Sequence, residues 1–190
     1  RVKLAQVGLF ADGEAVRHVG KETFRLCREL VDEVILVDTD AICAAIKDVF
    51  QDTRSILKPA GALAIDALRD LGRLDGRSVV AVVSGSNFDF ERLPEVKERA
   101  QRYAGLKKYF ILRMPQRPGA LREFLNLLGP DDDISRFEYL KKSARNFGSV
   151  LIGIETKDAN GFRDFTDRMD AAGLAFRDIT SDEALSEFLI

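Results

Sequence analysis

The sequence predicts an α/β protein built of two successive blocks, and three observations carry that expectation. Uninterrupted runs of β-branched residues alternate with helical patterns up to residue 104, the residues beyond follow the order βαββαβ, and 46% of the 190 residues are apolar, enough for a real core.

In the first block, KETFRLCRELVDEVILVD from Lys21 places Phe24, Leu26, Cys27, Leu30 and Val31 at helical spacing, then switches to the strand-like run Val34 to Val37. Asp38 or Thr39 offers an N-cap for a second helix, whose apolar face is Ile42, Ala45, Ile46 and Phe50. Pro59 suits a first helical turn, and Ala60, Gly61, Ala62 and Ala64 continue a third helix to about Gly72. After the turn DGRS, VVAVV (79–83) reads as a strand, apolar without alternation and so expected to be buried on both faces, as in a parallel sheet covered by helices. Two strands make an incomplete sheet. Together with a first residue that is Arg1 rather than Met, this gives the expectation that a segment upstream completes the block.

A helix over LPEVKERAQRYAG leads to Gly105, Lys107 and Lys108, where the second block (105–190) begins. Its predicted elements are a strand at 109–114, a helix at 118–128, strands at 134–142 and 149–156, a helix at 161–172 and a strand at 174–180. That order is the ferredoxin-like arrangement, a four-stranded antiparallel sheet with helices on one face. Strict alternation puts Ile134, Arg136, Glu138 and Leu140 on one side of the third element and Ser135, Phe137, Tyr139 and Lys141 on the other, predicting a second apolar face that a partner covers.

Lys plus Arg (29) nearly balance Asp plus Glu (31), so no basic stripe points to nucleic acid. No apolar run approaches the roughly 20 residues that span a bilayer, and no export signal is legible, so neither a membrane nor secretion is expected. Cys27, Cys43 and the single His18 show no metal-ligand spacing; no metal is expected, and both thiols read as buried in a reducing cytoplasm.

Five stretches invite reading as sites. Ser84, Gly85, Ser86 and Asn87 follow the predicted strand at the end where open α/β sheets bind ligands, with a hydroxyl to bond a ring nitrogen and a glycine to admit close approach; from spacing alone a plain tight turn with no ligand is the simpler reading. KPAGALAID (58–66) opens a helix with small residues, which suits either an anion or close packing. RMPQRPGALREF (113–124) carries a strand through two prolines into a helix, where a turn could hold a small carboxylate or serve as a simple connection. FADGEAVRHVG (10–20) has no partner for His18 and reads as a loop, as does the acidic turn at Asp131, Asp132 and Asp133, which lacks calcium-loop spacing.

Taken in order, FADGEAVRHVGKETF, DTRSILKPAGALA, VVAVVSGSNFDFERL, YFILRMPQRPGALREFL and DDDISRFEYLKK resemble the C-terminal part of biosynthetic threonine dehydratases, the short form with one ACT-like regulatory domain. The resemblance implies a pyridoxal-phosphate enzyme of the tryptophan-synthase β fold (fold type II) that converts L-threonine to 2-oxobutanoate and ammonia for isoleucine synthesis. Residues 1–104 would be the end of the catalytic domain and 105–190 the ACT-like domain. Ser84 would meet the pyridine nitrogen, with Gly85 and Asn87 beside it. The family's cofactor-binding lysine and glycine-rich phosphate loop have no counterpart in this sequence, so no catalytic residue is assigned and the chain alone is expected to be inactive and free of cofactor. Lys58 stands where the family usually has Glu.

The same resemblance implies a homo-oligomer, dimer or tetramer, and a branched-chain amino-acid effector, isoleucine with valine as its counterpart. Arg117, Gly119, Ala120 and Leu121 at the turn, with Phe137 and Tyr139 on the strand, are the implied contacts. A stand-alone amino-acid-binding or dimerisation module, and another enzyme of the same cofactor fold such as a serine dehydratase, are the competing readings.

Overall fold

Asp38 accepts the backbone N–H of Ala41 at 2.7 Å and so starts the first well-packed helix. The computed structural model describes every residue except 72, 73, 86, 141–145 and 190, and the chain divides into two units, Arg1–Ala100 and Gln101–Ile190. Of the sequence-predicted features, Gly72, Ser86, Lys141 and Lys142 lie outside the described residues.

In the first unit a short 3-10 turn at Asp12–Glu14 precedes α1 (Lys21–Leu30), α2 (Thr39–Thr53) and α3 (Pro59–Asp70); a second 3-10 turn at Phe90–Arg92 leads into α4 (Leu93–Tyr103). Pro59 occupies the first turn of α3, where its missing N–H costs nothing. The core joins Ile42, Cys43, Ala45 and Ile46 of α2 to Leu57, Ala62, Val96 and Ala100, and the alanines let the helices approach closely. α1 buries none of its residues, so Cys27 is exposed rather than buried as expected, while Cys43 is buried.

The two runs expected as strands, 34–37 and 79–83, form no ladder. Leu36 is 88% and Val80 89% exposed. A strand is held by hydrogen bonds to a neighbour, and among the described residues neither run is paired into a sheet.

The second unit realises the βαββαβ order: β1 (Lys107–Pro115), α5 (Ala120–Leu125), β2 (Asp133–Leu140), β3 (Phe147–Glu155), α6 (Gly161–Ala171) and β4 (Phe176–Asp178), followed by α7 (Glu183–Leu189). The sheet order is β2-β3-β1-β4, antiparallel throughout. One face carries Phe110, Leu112, Val150, Ile152 and Ile154 under Phe124, Phe162, Phe165 and Met169 of α5 and α6. Phe165 meets Phe110 edge-on at 5.8 Å and Phe124 at 6.3 Å, the favoured arrangement of aromatic quadrupoles.

Strict alternation fails in β2. The register shifts between Ile134 and Arg136, so Ser135 is an extra, bulged residue. Ile134, Phe137 and Tyr139 then pair with Ile154, Ile152 and Val150 and share the helix-covered face. The opposite face carries Tyr109, Ile111, Leu151 and Ile179, and what lies against it is α7, through Leu185 and Leu189. Arg136 fixes that helix by donating to the carbonyls of Phe188 (3.1 Å) and Leu189 (3.2 Å), which have no intrahelical donor. The sequence reading had no element after residue 180.

Phe165 is fully buried at the meeting of three rings. Phe165→Ala is expected to destabilise the second unit by about 3–5 kcal/mol, read from the urea midpoint of its transition; a loss below about 1 kcal/mol would show that the ring cluster is not the centre of this core.

Candidate functional site

Gly61 sits so close to the tip after residue 83 that a Cβ there would lie 2.2 Å from the Ser84 carbonyl oxygen. Only a residue without a side chain permits that approach. The tip is secured a second time by the Lys58 N–H, which donates to the Gly85 carbonyl at 3.2 Å. Gly85 has φ +67°, in the left-handed region that favours glycine, and the Lys58 side chain runs across it, with Cδ 2.9 Å and Cε 3.1 Å from where a Cβ would be. At its far end the Lys58 amine reaches Gly13, 3.5 Å from the corresponding point, beside the Ala60 methyl at the same distance.

Three separate stretches thus converge: the turn at Asp12–Glu14, the start of α3 and the tip at Ser84 and Gly85. Ser84 is half-buried, and its hydroxyl makes no hydrogen bond among the described residues; Gly85 and Asn87 are exposed. Lys58 is half-buried, turned along the tip instead of out to solvent, and its amine has no partner among the described residues. Sequence reasoning passed over Gly13, treating its stretch as the loop of His18. Its only local signal was a glycine in ADGEA, whose meaning depends on α3 arriving beside it.

Behind this site Arg92 lies over the Phe10 ring at 4.3 Å and donates to the Phe10 carbonyl at 3.1 Å. Arg99 donates to Asp40 at 3.0 Å and to Glu95 at 2.9 Å. Burial alone would lower the Arg99 guanidinium, and those two carboxylates outweigh it, leaving the charge more firmly held than usual. The Cys43 thiol is pushed up to about 12 by burial, with Arg99 opposing in part, and is inert at neutral pH.

In the second unit the strand-to-helix turn forms one wall of a cavity of about 310 Å³. Arg117 and Glu123 lie at it with apolar Met114, Ala120, Phe124 and Leu127, and the α6–β4 turn at 172–175 forms the facing side. Arg117 grips Glu123 through both terminal guanidinium nitrogens, which donate at 2.7 and 2.5 Å, although both side chains are largely exposed. Each steadies the other's charge: hydrogen bonding to Glu123 raises the Arg117 guanidinium, and hydrogen bonding to Arg117 lowers the Glu123 carboxyl. Arg113 lies over the Phe147 ring at 4.5 Å on the same cavity. Gly119, at φ +88°, turns the chain into α5.

Of the six residues expected at an effector site, the structure brings Arg117 and Ala120 to this cavity. Leu121 points outward, 44% exposed, and Phe137 and Tyr139 lie on edge strand β2, with β3 between them and β1. The acidic turn is a closed local structure: Asp131 pairs with Lys157 at 2.9 Å, and Asp132 accepts the Gly129 N–H at 2.6 Å.

Comparison with known proteins defines the class. Residues 1–85 match the model of pyridoxal-phosphate dependent enzymes, and residues 98–189 match the C-terminal regulatory domain of threonine dehydratase. The L-threonine dehydratase biosynthetic IlvA of Halalkalibacterium halodurans is 41% identical over 193 residues, covering 100% of this chain and 46% of that protein. Its counterpart in Staphylococcus aureus (strain NCTC 8325) is 48% identical over 159 residues, 83% of this chain and 38% of that protein. A solved structure, the processed form of threonine deaminase isoform 2 from Solanum lycopersicum, is 47% identical over 53% of this chain and 28% of that one, with a TM-score of 0.50. The chain is similar to the C-terminal part of threonine dehydratases and spans less than half the length of these curated relatives.

The residues present fit one side of a pyridoxal-phosphate site: a half-buried hydroxyl with no hydrogen-bond partner among the described residues, at a tip whose approach to α3 a single added carbon would block. Gly61→Ala is expected to displace the tip and lower the stability of the first unit by about 1–3 kcal/mol in a urea titration, as over-packing does. An unchanged midpoint would mean that the tip does not dock on α3.

Proposed function

We propose that this chain is part of a pyridoxal-phosphate dependent threonine ammonia-lyase, residues 1–104 closing its catalytic domain and residues 105–190 forming an ACT-like regulatory domain. The reaction is conversion of L-threonine to 2-oxobutanoate and ammonia in cytoplasmic isoleucine synthesis. The observation that carries the catalytic part is the docking of the tip at Ser84 on α3 through Gly61, which leaves the Ser84 hydroxyl available at the site. When bound, pyridoxal phosphate supplies the electron sink for removal of the threonine α-proton and loss of its β-hydroxyl. Ser84 holds the pyridine nitrogen by a hydrogen bond and, being a hydroxyl instead of a carboxylate, leaves it largely unprotonated. Gly85 allows the backbone to come close to the ring, and Asn87 closes the tip. The Lys58 stem crosses Gly85 and carries its amine to Gly13.

The regulatory part rests on the cavity at the end of β1, whose apolar wall suits an aliphatic side chain and whose Arg117 suits a carboxylate. The effector is a branched-chain amino acid, isoleucine opposed by valine, acting in a homo-oligomer.

Two measurements test this reading. Titration of the chain with isoleucine, valine and threonine by calorimetry is expected to give heat with a branched-chain amino acid, and no heat from any of them removes the regulatory assignment. The purified chain with added pyridoxal phosphate and threonine is expected to form no 2-oxobutanoate, because the family's cofactor-binding lysine has no counterpart in it; measurable product would overturn the expectation that this chain alone is inactive.

A further inference from the structure

Resting on the regulatory reading above, we infer that Glu123 is an internal competitor: its carboxylate occupies the Arg117 guanidinium in the place that the carboxylate of an amino-acid effector takes. Arg117 and Glu123 meet fork to fork, both terminal nitrogens engaged, at 2.7 and 2.5 Å. This is the geometry with which arginine recognises a free carboxylate, and the same two N–H groups do not serve two carboxylates at once. Binding therefore exchanges one carboxylate for another.

The surroundings favour the exchange. Both partners are more than half exposed, with side-chain exposures of 54% for Arg117 and 61% for Glu123, so the pair is weak and Glu123 returns to water at little cost. Arg117 and Glu123 both line the cavity of about 310 Å³, where Met114, Ala120, Phe124 and Leu127 offer apolar contact for an aliphatic side chain. A ligand with a carboxylate and a branched aliphatic group gains both interactions, whereas Glu123 satisfies only the first. Among the described residues Glu123 is the one carboxylate lining this cavity. The direct alternative is that Glu123 receives the effector's ammonium group, and the two roles predict opposite signs.

The test is calorimetry of the full chain and of Glu123→Gln with L-isoleucine, together with Arg117→Met. Glu123→Gln keeps the shape of the side chain and removes its charge. Its expected effect is tighter binding, by about fivefold, the scale of an exposed ion pair, with a thermal midpoint close to that of the parent chain. Arg117→Met is expected to lose binding. Tighter binding by Glu123→Gln, or binding by Glu123→Gln where the parent chain gives none, supports the competitor role. Unchanged or weaker binding by Glu123→Gln, with the parent chain binding normally, overturns the competitor role and leaves the regulatory reading intact. Absence of binding by both overturns the two together.

Discussion

The nine consecutive antiparallel pairs between β1 and β3, Lys107 with Glu155 through Pro115 with Phe147, are the interaction on which the second unit depends. Because successive side chains alternate, this ladder sends Phe110, Leu112 and Met114 to one face and Tyr109 and Ile111 to the other, so a single pairing register specifies both cores. The register also explains an isolated glycine. Gly153 stands opposite Tyr109, and a Cβ there would lie 2.7 Å from that ring. By ending at Pro115 the same ladder fixes where the chain must turn, and with it the position of Arg117 and the cavity beside it.

The first unit lacks such a ladder, and the contrast is physical rather than accidental. Its helices pack because alanines on α2 and α3 let those two backbones approach, while α4 joins the same core through Val96 and Ala100. Its two β-branched runs are different. Apolar on every position, they have the composition of strands covered on both faces, yet Val80 and Val82 stand 89% and 78% exposed. The match to pyridoxal-phosphate dependent enzymes across residues 1–85, and the 46% coverage of a full-length relative, are consistent with runs whose sheet neighbours belong to other parts of such a protein.

What the sequence made legible was local or repetitive. The Asp38 cap, Pro59 at a first turn and the strand-forming runs of β1 and β3 each carry their instruction in adjacent residues, and each is found where expected. What it concealed depended on residues far apart. Ser135 is an ordinary polar residue until its strand pairs with β3, and the bulge that it forms then moves Ile134 to the other face. α7 is short, and its role comes from Leu185 and Leu189 meeting Tyr109 and Ile179. At the candidate site the tip was visible as a polar ending to an apolar run, but Gly13 joined it only when α3 brought the two together. The six effector candidates were separated by the sheet order, which places β3 between β1 and β2 and so parts Phe137 and Tyr139 from the turn.

Two ion pairs of the second unit show why one suits structure and the other exchange. Lys107 is 5% exposed, and its amine meets Glu155 at 2.9 Å; Gln101 supplies a further donor to the same carboxylate at 3.1 Å. Removing one member of such a buried pair strands the other charge away from water, a cost of about 3–5 kcal/mol, so the pair holds the end of the β1–β3 ladder and has no freedom to open. Arg117 and Glu123 have similar chemistry and shorter contacts, but water stands ready to replace either partner. Distance alone therefore says little about permanence. Solvent access decides it, and the accessible pair is the one placed at a cavity whose apolar lining gives a competing carboxylate a reason to bind.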